Sequence, residues 1–311
     1  MAQLELDRIV PGDCIEVLSA LKEPVADLVF ADPPFNIGYK YDVYEDRKAY
    51  DDYYAWTKLW MRACAEKALK PTGSFWVAIG DEYAAEIKII GRELGLHLRN
   101  WVIWHYTFGQ QTRKKFARSH AHLFYFAKDL KAFTFNDKAI RIPSARQTTY
   151  ADIRANPDGK IPDDVWSFSR VCGTFNERVD WHPCQMPEKV LERIVLASSS
   201  AGDVVLDPFS GSGTTCTVAA RLKRRYLGID LSPDYVKLST QRIADTLAGL
   251  RGTTEIAENP EQLRPGRVVG RNRQPADETP VPSLRAMRAR RRPQAPDGPG
   301  ATLFLPAAGA E

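Results

Sequence analysis

Long apolar runs are absent from this 311-residue chain. A transmembrane helix, which needs about 18–20 consecutive apolar residues, is therefore not encoded. The first residues, Met1-Ala2-Gln3-Leu4-Glu5, lack the basic and apolar blocks of a signal or transit peptide. Cysteine is scarce: five residues, at 14, 64, 172, 184 and 216, with no C-x-x-C pair. That spacing argues against a disulfide framework and against a structural zinc site, and it fits a reducing cytoplasm. His105, His120 and His122 form no metal-ligating set, so no metal is expected. No Gly-Lys-Ser/Thr follows a glycine-rich turn, so no P-loop is present. Internal repeats are missing. Charge of one sign does not dominate either: 43 basic against 39 acidic residues leave a net charge of +4. That balance permits a polyanionic partner without demonstrating one. With 44% hydrophobic and 10% aromatic residues, there is ample material for a buried core.

Apolar periodicity stops near residue 250, and nine of the 21 prolines lie beyond it. Arg264, Arg267, Arg271, Arg273, Arg285, Arg288, Arg290, Arg291 and Arg292 face only Asp277 and Glu278 over that stretch. Such a segment buries too little apolar surface to offset its ordering entropy. Residues 251–311 are therefore expected to be a disordered basic tail. It is either inert or a salt-sensitive phosphate-binding arm.

Residues 1–250 read as alternating strands and helices. Strands are expected at Ala26–Ala31, Gly73–Ile79, Leu98–Trp104, His122–Ala127, Asp203–Leu206 and Tyr226–Ile229. Helices are expected at Asp51–Leu69, Ala84–Leu94, Pro187–Ser198, Thr214–Leu222 and Pro233–Leu247. Strands separated by helical crossovers predict an α/β fold, a mostly parallel sheet with helices on both faces.

The first chemical signal lies in Val204-Val205-Leu206-Asp207-Pro208-Phe209-Ser210-Gly211-Ser212-Gly213-Thr214. A buried strand ends at Asp207, small residues turn the chain, and a helix begins at Thr214. Gly211 and Gly213 let the backbone approach a ligand closely. A second strand ends at Asp230, about 20 residues further on, where a ribose-binding acid belongs. The plain alternative is a tight turn with no ligand.

The second signal is Asp32-Pro33-Pro34-Phe35. Asp32 follows a buried strand directly, so it lies at the carboxyl edge of the sheet, where α/β ligands bind. Two prolines stiffen the exit and remove two N–H donors. What remains is an acceptor-only surface, the Asp32 carboxylate and the Pro33 carbonyl, with the Phe35 ring beside it. It suits a planar ring that carries an amino group. The structural alternative is a rigid strand-to-loop exit.

Asp32-Pro33-Pro34-Phe35 resembles the catalytic tetrapeptide of DNA amino-methyltransferases. Asp207-Pro208-Phe209-x-Gly211-x-Gly213 resembles their S-adenosylmethionine motif. The catalytic motif comes first, the circularly permuted order of the beta group. Three further segments agree. Gly12-Asp13-Cys14-Ile15-Glu16-Val17-Leu18 resembles the family's segment near the cofactor adenine, and Lys70-Pro71-x-Gly73-Ser74 a turn after its first long helix. His182-Pro183-x-Gln185-x-Pro187-Glu188 resembles the motif beside the cofactor's methionine end. The likeness spans residues 3–245. One departure stands out: many members read His-Pro-Thr-Gln-Lys-Pro where this chain has Cys184 and Met186, so the contacts of that Thr and Lys do not carry over.

The resemblance implies a Rossmann-like methyltransferase domain over 1–250. It would comprise a catalytic half (1–130), a small target-recognition insertion (131–180) and a cofactor half (181–250). The alternative for 131–180 is an ordinary loop-rich crossover. The implied activity is transfer of a methyl group from S-adenosylmethionine to the N6 amino group of adenine in double-stranded DNA. Asp32, Pro33, Pro34 and Phe35 would be catalytic. The cofactor set would be Asp13, Cys14, Asp32, His182, Pro183, Asp207, Pro208, Phe209, Gly211, Gly213, Thr214 and Asp230. A duplex base must leave its stack to enter such a site, with Phe35 as stacking partner. No covalent intermediate is needed, so no cysteine is assigned as nucleophile.

Residues 106–120 mix bases, aromatics and amides in an expected loop. Gln110 and Gln111 are candidates for base edges, and Arg113, Lys114, Lys115 and Arg118 for phosphates, with Arg146 from the insertion. A solvated charged face is the bland reading. Trp101, Trp104, Trp166 and Trp181 are expected in the core. The cytosine amino group is the rival target. RNA or protein-glutamine acceptors fit less well, because Asp32 stands where glutamine enzymes often have Asn. A silent DNA-binding module and a nicotinamide oxidoreductase are the alternatives from other classes. The latter leaves the Asp-Pro-Pro-Phe site unexplained. A homodimer, a cognate restriction endonuclease and a cytoplasmic, nucleoid-associated location are expectations from family analogy; no membrane partner is expected.

Overall fold

The computed structural model describes residues 5–110, 112–150, 152–173 and 175–251. Gln111 and the expected tail from residue 252 onward lie outside the described residues, as does the side chain of Gln110. In chain order the elements are β1 (Arg8–Pro11), α1 (Cys14–Ser19), β2 (Ala26–Ala31), α2 (Tyr50–Arg62), β3 (Leu69–Ile79), α3 (Ala84–Glu93), β4 (His97–Gln110), β5 (Arg118–Ala127), α4 (Ala145–Thr148), β6 (Val165–Ser167), α5 (Glu188–Ser198), β7 (Val204–Asp207), α6 (Thr214–Arg221), β8 (Arg225–Asp230) and α7 (Pro233–Leu247).

The strands form one sheet in the order β1-β8-β7-β2-β3-β5-β4-β6. Pairing is parallel except where β5 lies antiparallel to β3 and β4. Strand alternation sorts the core into two layers. Val29, Ala31, Phe75, Val77 and Ile79 face Leu18, Tyr53, Trp60, Ile87 and Ile90 of α1, α2 and α3. Leu28, Phe30, Trp76 and Ala78 face Val190, Leu191, Ile194 and Val218 of α5 and α6. Helices thus cover both faces, as a largely parallel sheet requires. Among the described residues no helix is long and apolar enough to cross a membrane.

Three local expectations change. The helix expected over Asp51–Leu69 ends at Arg62 and continues as a π-helical segment, Ala63–Ala68. Its small residues Ala63, Cys64, Ala65 and Ala68 are buried, and β3 starts at once with Leu69. The loop expected over residues 106–120 is largely ladder. Trp104 and Tyr106 stay buried, so β4 runs on to Gln110, which pairs with Arg118 of β5. Only residues 111–117 connect the two strands. In the 131–180 segment, β6 adds to the sheet edge beside β4 with Trp104 opposite Trp166. Trp104 and Trp166 are buried, whereas Trp101 and Trp181 are half-buried.

Candidate functional site

Four neighbouring parallel strands, β1, β8, β7 and β2, end at the same edge of the sheet. Each carries an aspartate at or just past its end: Asp13, Asp230, Asp207 and Asp32. Neighbouring strands lie about 4.8 Å apart, so Asp230 and Asp32, two strands away from each other, stand roughly 10 Å apart across the edge. They share a single cleft of about 700 Å³, a volume that suits a small-molecule ligand. Its lining includes Asp13, Cys14, Asp32 to Phe35, His182 to Cys184, Asp207 to Gly211, Thr214 and Asp230.

The Asp32 carboxylate meets no donor among the described residues. Burial, and then the charge of Asp207, push its pKa up to about 8. Burial lifts Asp207 to about 7, against hydrogen bonds from Thr215 and the Phe209 amide that favour its charge. The next turn is built with care. Tyr53 of α2 donates its hydroxyl to the Pro34 carbonyl at 2.6 Å. Asn36, at φ 59°, receives the Lys48 amide at 2.7 Å and donates to the Tyr83 hydroxyl at 2.8 Å. Asp46 is 2% exposed, and its carboxylate accepts the amides of Asn36, Ile37, Gly38 and Tyr39 at 2.7–3.2 Å. The segment it gathers presents Tyr39, Tyr41 and Tyr44 to the cleft. It reaches the opposite side where the Ser232 hydroxyl donates to Asp42.

The glycine turn is equally constrained. Gly211 lies at φ 48° and Gly213 at φ 76°. A Cβ on Gly211 would stand 2.7 Å from His182 Nε2, so the close approach admits no side chain there. Burial holds His182 neutral, with its pKa lowered to about 4. Gly211 N donates to Asp230 at 2.6 Å and Ser232 N at 2.9 Å. The Gly211 amide is thus engaged by Asp230. Behind the turn, Arg242 binds the Ser212 carbonyl at 2.8 Å and Glu188 at 3.1 Å. Asp13 caps α1 by accepting the Ile15 amide at 2.7 Å. Phe209 packs against Trp60 and Trp56, with centroids 5.1 and 5.7 Å away.

The catalytic candidates and the cofactor candidates other than Gly213 therefore line one cleft; Gly213 packs against Ser239 and Ile9 instead. The phosphate candidates are not gathered as one set. Lys115 and Arg118 line the cleft, whereas Arg113, Lys114 and Arg146 do not. Arg118 is already paired with Asp81 at 2.7 Å and with Glu82, and Arg146 with Asp152 at 3.4 Å. Sequence reasoning missed Asp46, Tyr53, Asp42 and Arg170. The interleaved Tyr39, Tyr41 and Tyr44 were the available signal. Among the described residues, no His, Cys, Asp and Glu cluster is arranged to hold a metal ion.

Residues 26–241 match the family model described as DNA methylase. The chain is 35% identical over 249 residues to type II methyltransferase M.HpaI of Haemophilus parainfluenzae, covering 80% of this chain and 77% of that protein. It is 34% identical over 247 residues to the DNA adenine methyltransferase YhdJ of Escherichia coli strain K12, covering 77% of this chain and 83% of YhdJ. Among solved structures, the cytosine-N4-specific PvuII DNA methyltransferase shares the fold, with a TM-score of 0.58 and 21% identity over 76% of this chain and 89% of that one. The fold and the sheet-edge cleft define an α/β protein with a small-molecule site at its strand ends. The chain belongs to the DNA methylase family.

Proposed function

We infer that the protein transfers a methyl group from S-adenosylmethionine to the N6 amino group of adenine in double-stranded DNA. The observation that carries this reading is the shared cleft. Asp32, free of internal donors, opens into the same cavity as the Gly211 turn and Asp230.

The residues fit the cofactor. The Gly211 backbone lies directly against His182, with no room for a Cβ between them, so the turn, His182 and Asp230 form one wall of the cleft. Asp230 keeps acceptor capacity for ribose hydroxyls beyond its two amide bonds. Asp13, Cys14 and Phe209 would border the adenine, and His182 and Pro183 the methionine end. When bound, S-adenosylmethionine supplies a methyl group on a positively charged sulfur.

The protein's own part is acceptance and exclusion. The exocyclic amine of adenine is a weak nucleophile because its lone pair is delocalised into the ring. The Asp32 carboxylate and Pro33 carbonyl would accept hydrogen bonds from its two N–H groups and draw the nitrogen towards tetrahedral geometry. Asp32 then stabilises the positive charge that builds on nitrogen, until the methylated nitrogen gives up one proton to the carboxylate or to water. Tyr53 and Asp46 fix the backbone that presents these oxygens, which supplies orientation. The target base reaches Asp32 only by leaving the helix, with Phe35 as its stacking surface. Similarity to YhdJ, named a DNA adenine methyltransferase, favours adenine over cytosine.

We further propose that residues 131–180 carry target recognition, and that Lys115 and its exposed neighbours Arg113 and Lys114 meet phosphates. We propose a cytoplasmic, nucleoid-associated protein, for which family analogy and the likeness to type II methyltransferase M.HpaI suggest a homodimer and a cognate restriction endonuclease. The decisive experiment incubates the purified protein with unmethylated DNA and methyl-labelled S-adenosylmethionine, then digests the product to nucleosides. Label is expected in N6-methyl-2′-deoxyadenosine. Label in N4-methyl-2′-deoxycytidine, or in neither, would overturn the reading.

A further inference from the structure

The cleft carries both signs of charge. Six carboxylates line it, Asp13, Asp32, Asp42, Glu82, Asp207 and Asp230. Three cationic side chains, Lys115, Arg118 and Arg170, line its walls and rim. Arg118 is neutralised by Asp81 and Glu82, and Lys115 is exposed to water. Arg170 differs from both. It is half-buried, and its guanidinium lies 5.2 Å from the centre of the Tyr106 ring. Among the described residues no carboxylate comes within ion-pair distance of it. By contrast, Arg221 and Arg242 share Glu188 at 2.7 and 3.1 Å. A guanidinium carries five N–H donors, so the hydrogen bond that Arg170 makes with Tyr39 leaves donors for an anion.

Its neighbours say which end of the cleft it serves. Cys184 feels the charges of both Asp32 and Arg170, and all three line the cleft. Cys184 and the buried Met186 occupy the two positions where relatives with His-Pro-Thr-Gln-Lys-Pro carry a hydroxyl and an ammonium group. Met186 is 8% exposed and packs in the apolar core. Gln185, between them, is spent on the Val179 amide and the Glu177 carbonyl at 2.9 and 2.8 Å. The His-Pro-Cys-Gln-Met-Pro segment thus offers no charged side chain to the cleft, while Arg170, which hydrogen-bonds Tyr39 but has no carboxylate partner among the described residues, lines the same cleft.

We propose that Arg170 binds the carboxylate of S-adenosylmethionine, replacing the polar contacts that Cys184 and Met186 do not make. The proposal rests on the reading of the cleft as a methyltransferase site. A guanidinium fork suits a carboxylate in two-point contact. A phosphate of the DNA has the same anionic chemistry, and the test separates the two.

The full chain, Arg170→Ala and Arg170→Lys are titrated with S-adenosylmethionine, with its decarboxylated analogue and with a mixed-sequence DNA duplex. For the unaltered protein, decarboxylation should weaken binding roughly tenfold or more. Arg170→Ala should bind S-adenosylmethionine about that much more weakly, yet bind the analogue as the unaltered protein does, because the two changes remove one interaction. Arg170→Lys should fall between. Duplex affinity should stay within about twofold in both variants. Additive losses would overturn the proposal, as would equal affinity of the unaltered protein for the two ligands. A loss confined to DNA would assign the guanidinium to a phosphate and overturn it too. If the unaltered protein binds no S-adenosylmethionine, the underlying reading of the cleft fails instead. An Arg170→Ala protein that does not fold leaves the decision to the analogue titration of the unaltered chain and to Arg170→Lys.

Discussion

Asp32 and Asp207 place two carboxylates on one floor, and burial works against the charge of each. Their raised pKa values, about 8 and about 7, fix the sign of a linkage. Between the ordinary carboxylate range near 4 and these values, the folded protein holds protons that the unfolded chain has released. Their contribution to stability is complete below about pH 4 and is lost as pH rises through 7 and 8. Asp32→Asn should therefore raise the Tm of the ligand-free protein at pH 8 by a few degrees, on the order of 1 kcal/mol, and by less at pH 5. Equal shifts at both pH values would count against the electrostatic account. The same carboxylate is needed to accept the amine. Asp32→Ala should reduce methyl transfer by about 10²–10⁴-fold or more, with S-adenosylmethionine affinity within a few fold. Single-turnover rates and equilibrium titration would check this. Of the residue-level chemistry, Asp32 and Asp230 were legible because each follows a buried strand. Asp46 was not: a carboxylate that gathers four amides from 7–10 residues upstream leaves no mark in hydropathy or spacing.

Elements explain why the turns tolerate so little change. Gly211→Ala meets both a positive φ and a Cβ 2.7 Å from His182. It should cost about 1–2 kcal/mol of stability and weaken S-adenosylmethionine binding at least tenfold, as calorimetric titration can measure. Asp46→Asn puts an amide NH2 against backbone N–H groups, so loss of about 1–3 kcal/mol is expected in denaturant unfolding. At this scale the central strand was readable to its ends: Ala26–Ala31 is a continuous apolar run flanked by turn signals, and β2 has those bounds. Helix α5 loses only its capping Pro187 from the expected Pro187–Ser198. The extended hairpin was hidden because β4 continues past Tyr106 into polar residues that read as a loop. The three-residue β6 is too short to show a period. Its pairing with β4 is a tertiary event.

The whole molecule turns a strand order into a reaction site. β2, from the first half of the chain, lies beside β7, from the second. Two motifs about 175 residues apart in sequence thereby reach one cleft, as ligands at the carboxyl edge of α/β sheets require. The sequence could place each motif at a strand end, but not the neighbour relation between those strands. Beyond residue 251 the composition alone is informative. Removing residues 252–311 should leave S-adenosylmethionine affinity and Tm unchanged while flattening the dependence of DNA affinity on salt. An unchanged salt slope would make the arginine-rich segment irrelevant to DNA.

The account turns on two substrates meeting over Asp32. A crystal structure of the protein with bound S-adenosylmethionine tests it most directly. The ribose should lie against Asp230 and the Gly211 turn, with the methyl group directed at the space above the Asp32 carboxylate. A cofactor seated outside this cleft, or one whose methyl group points away from Asp32, would contradict it.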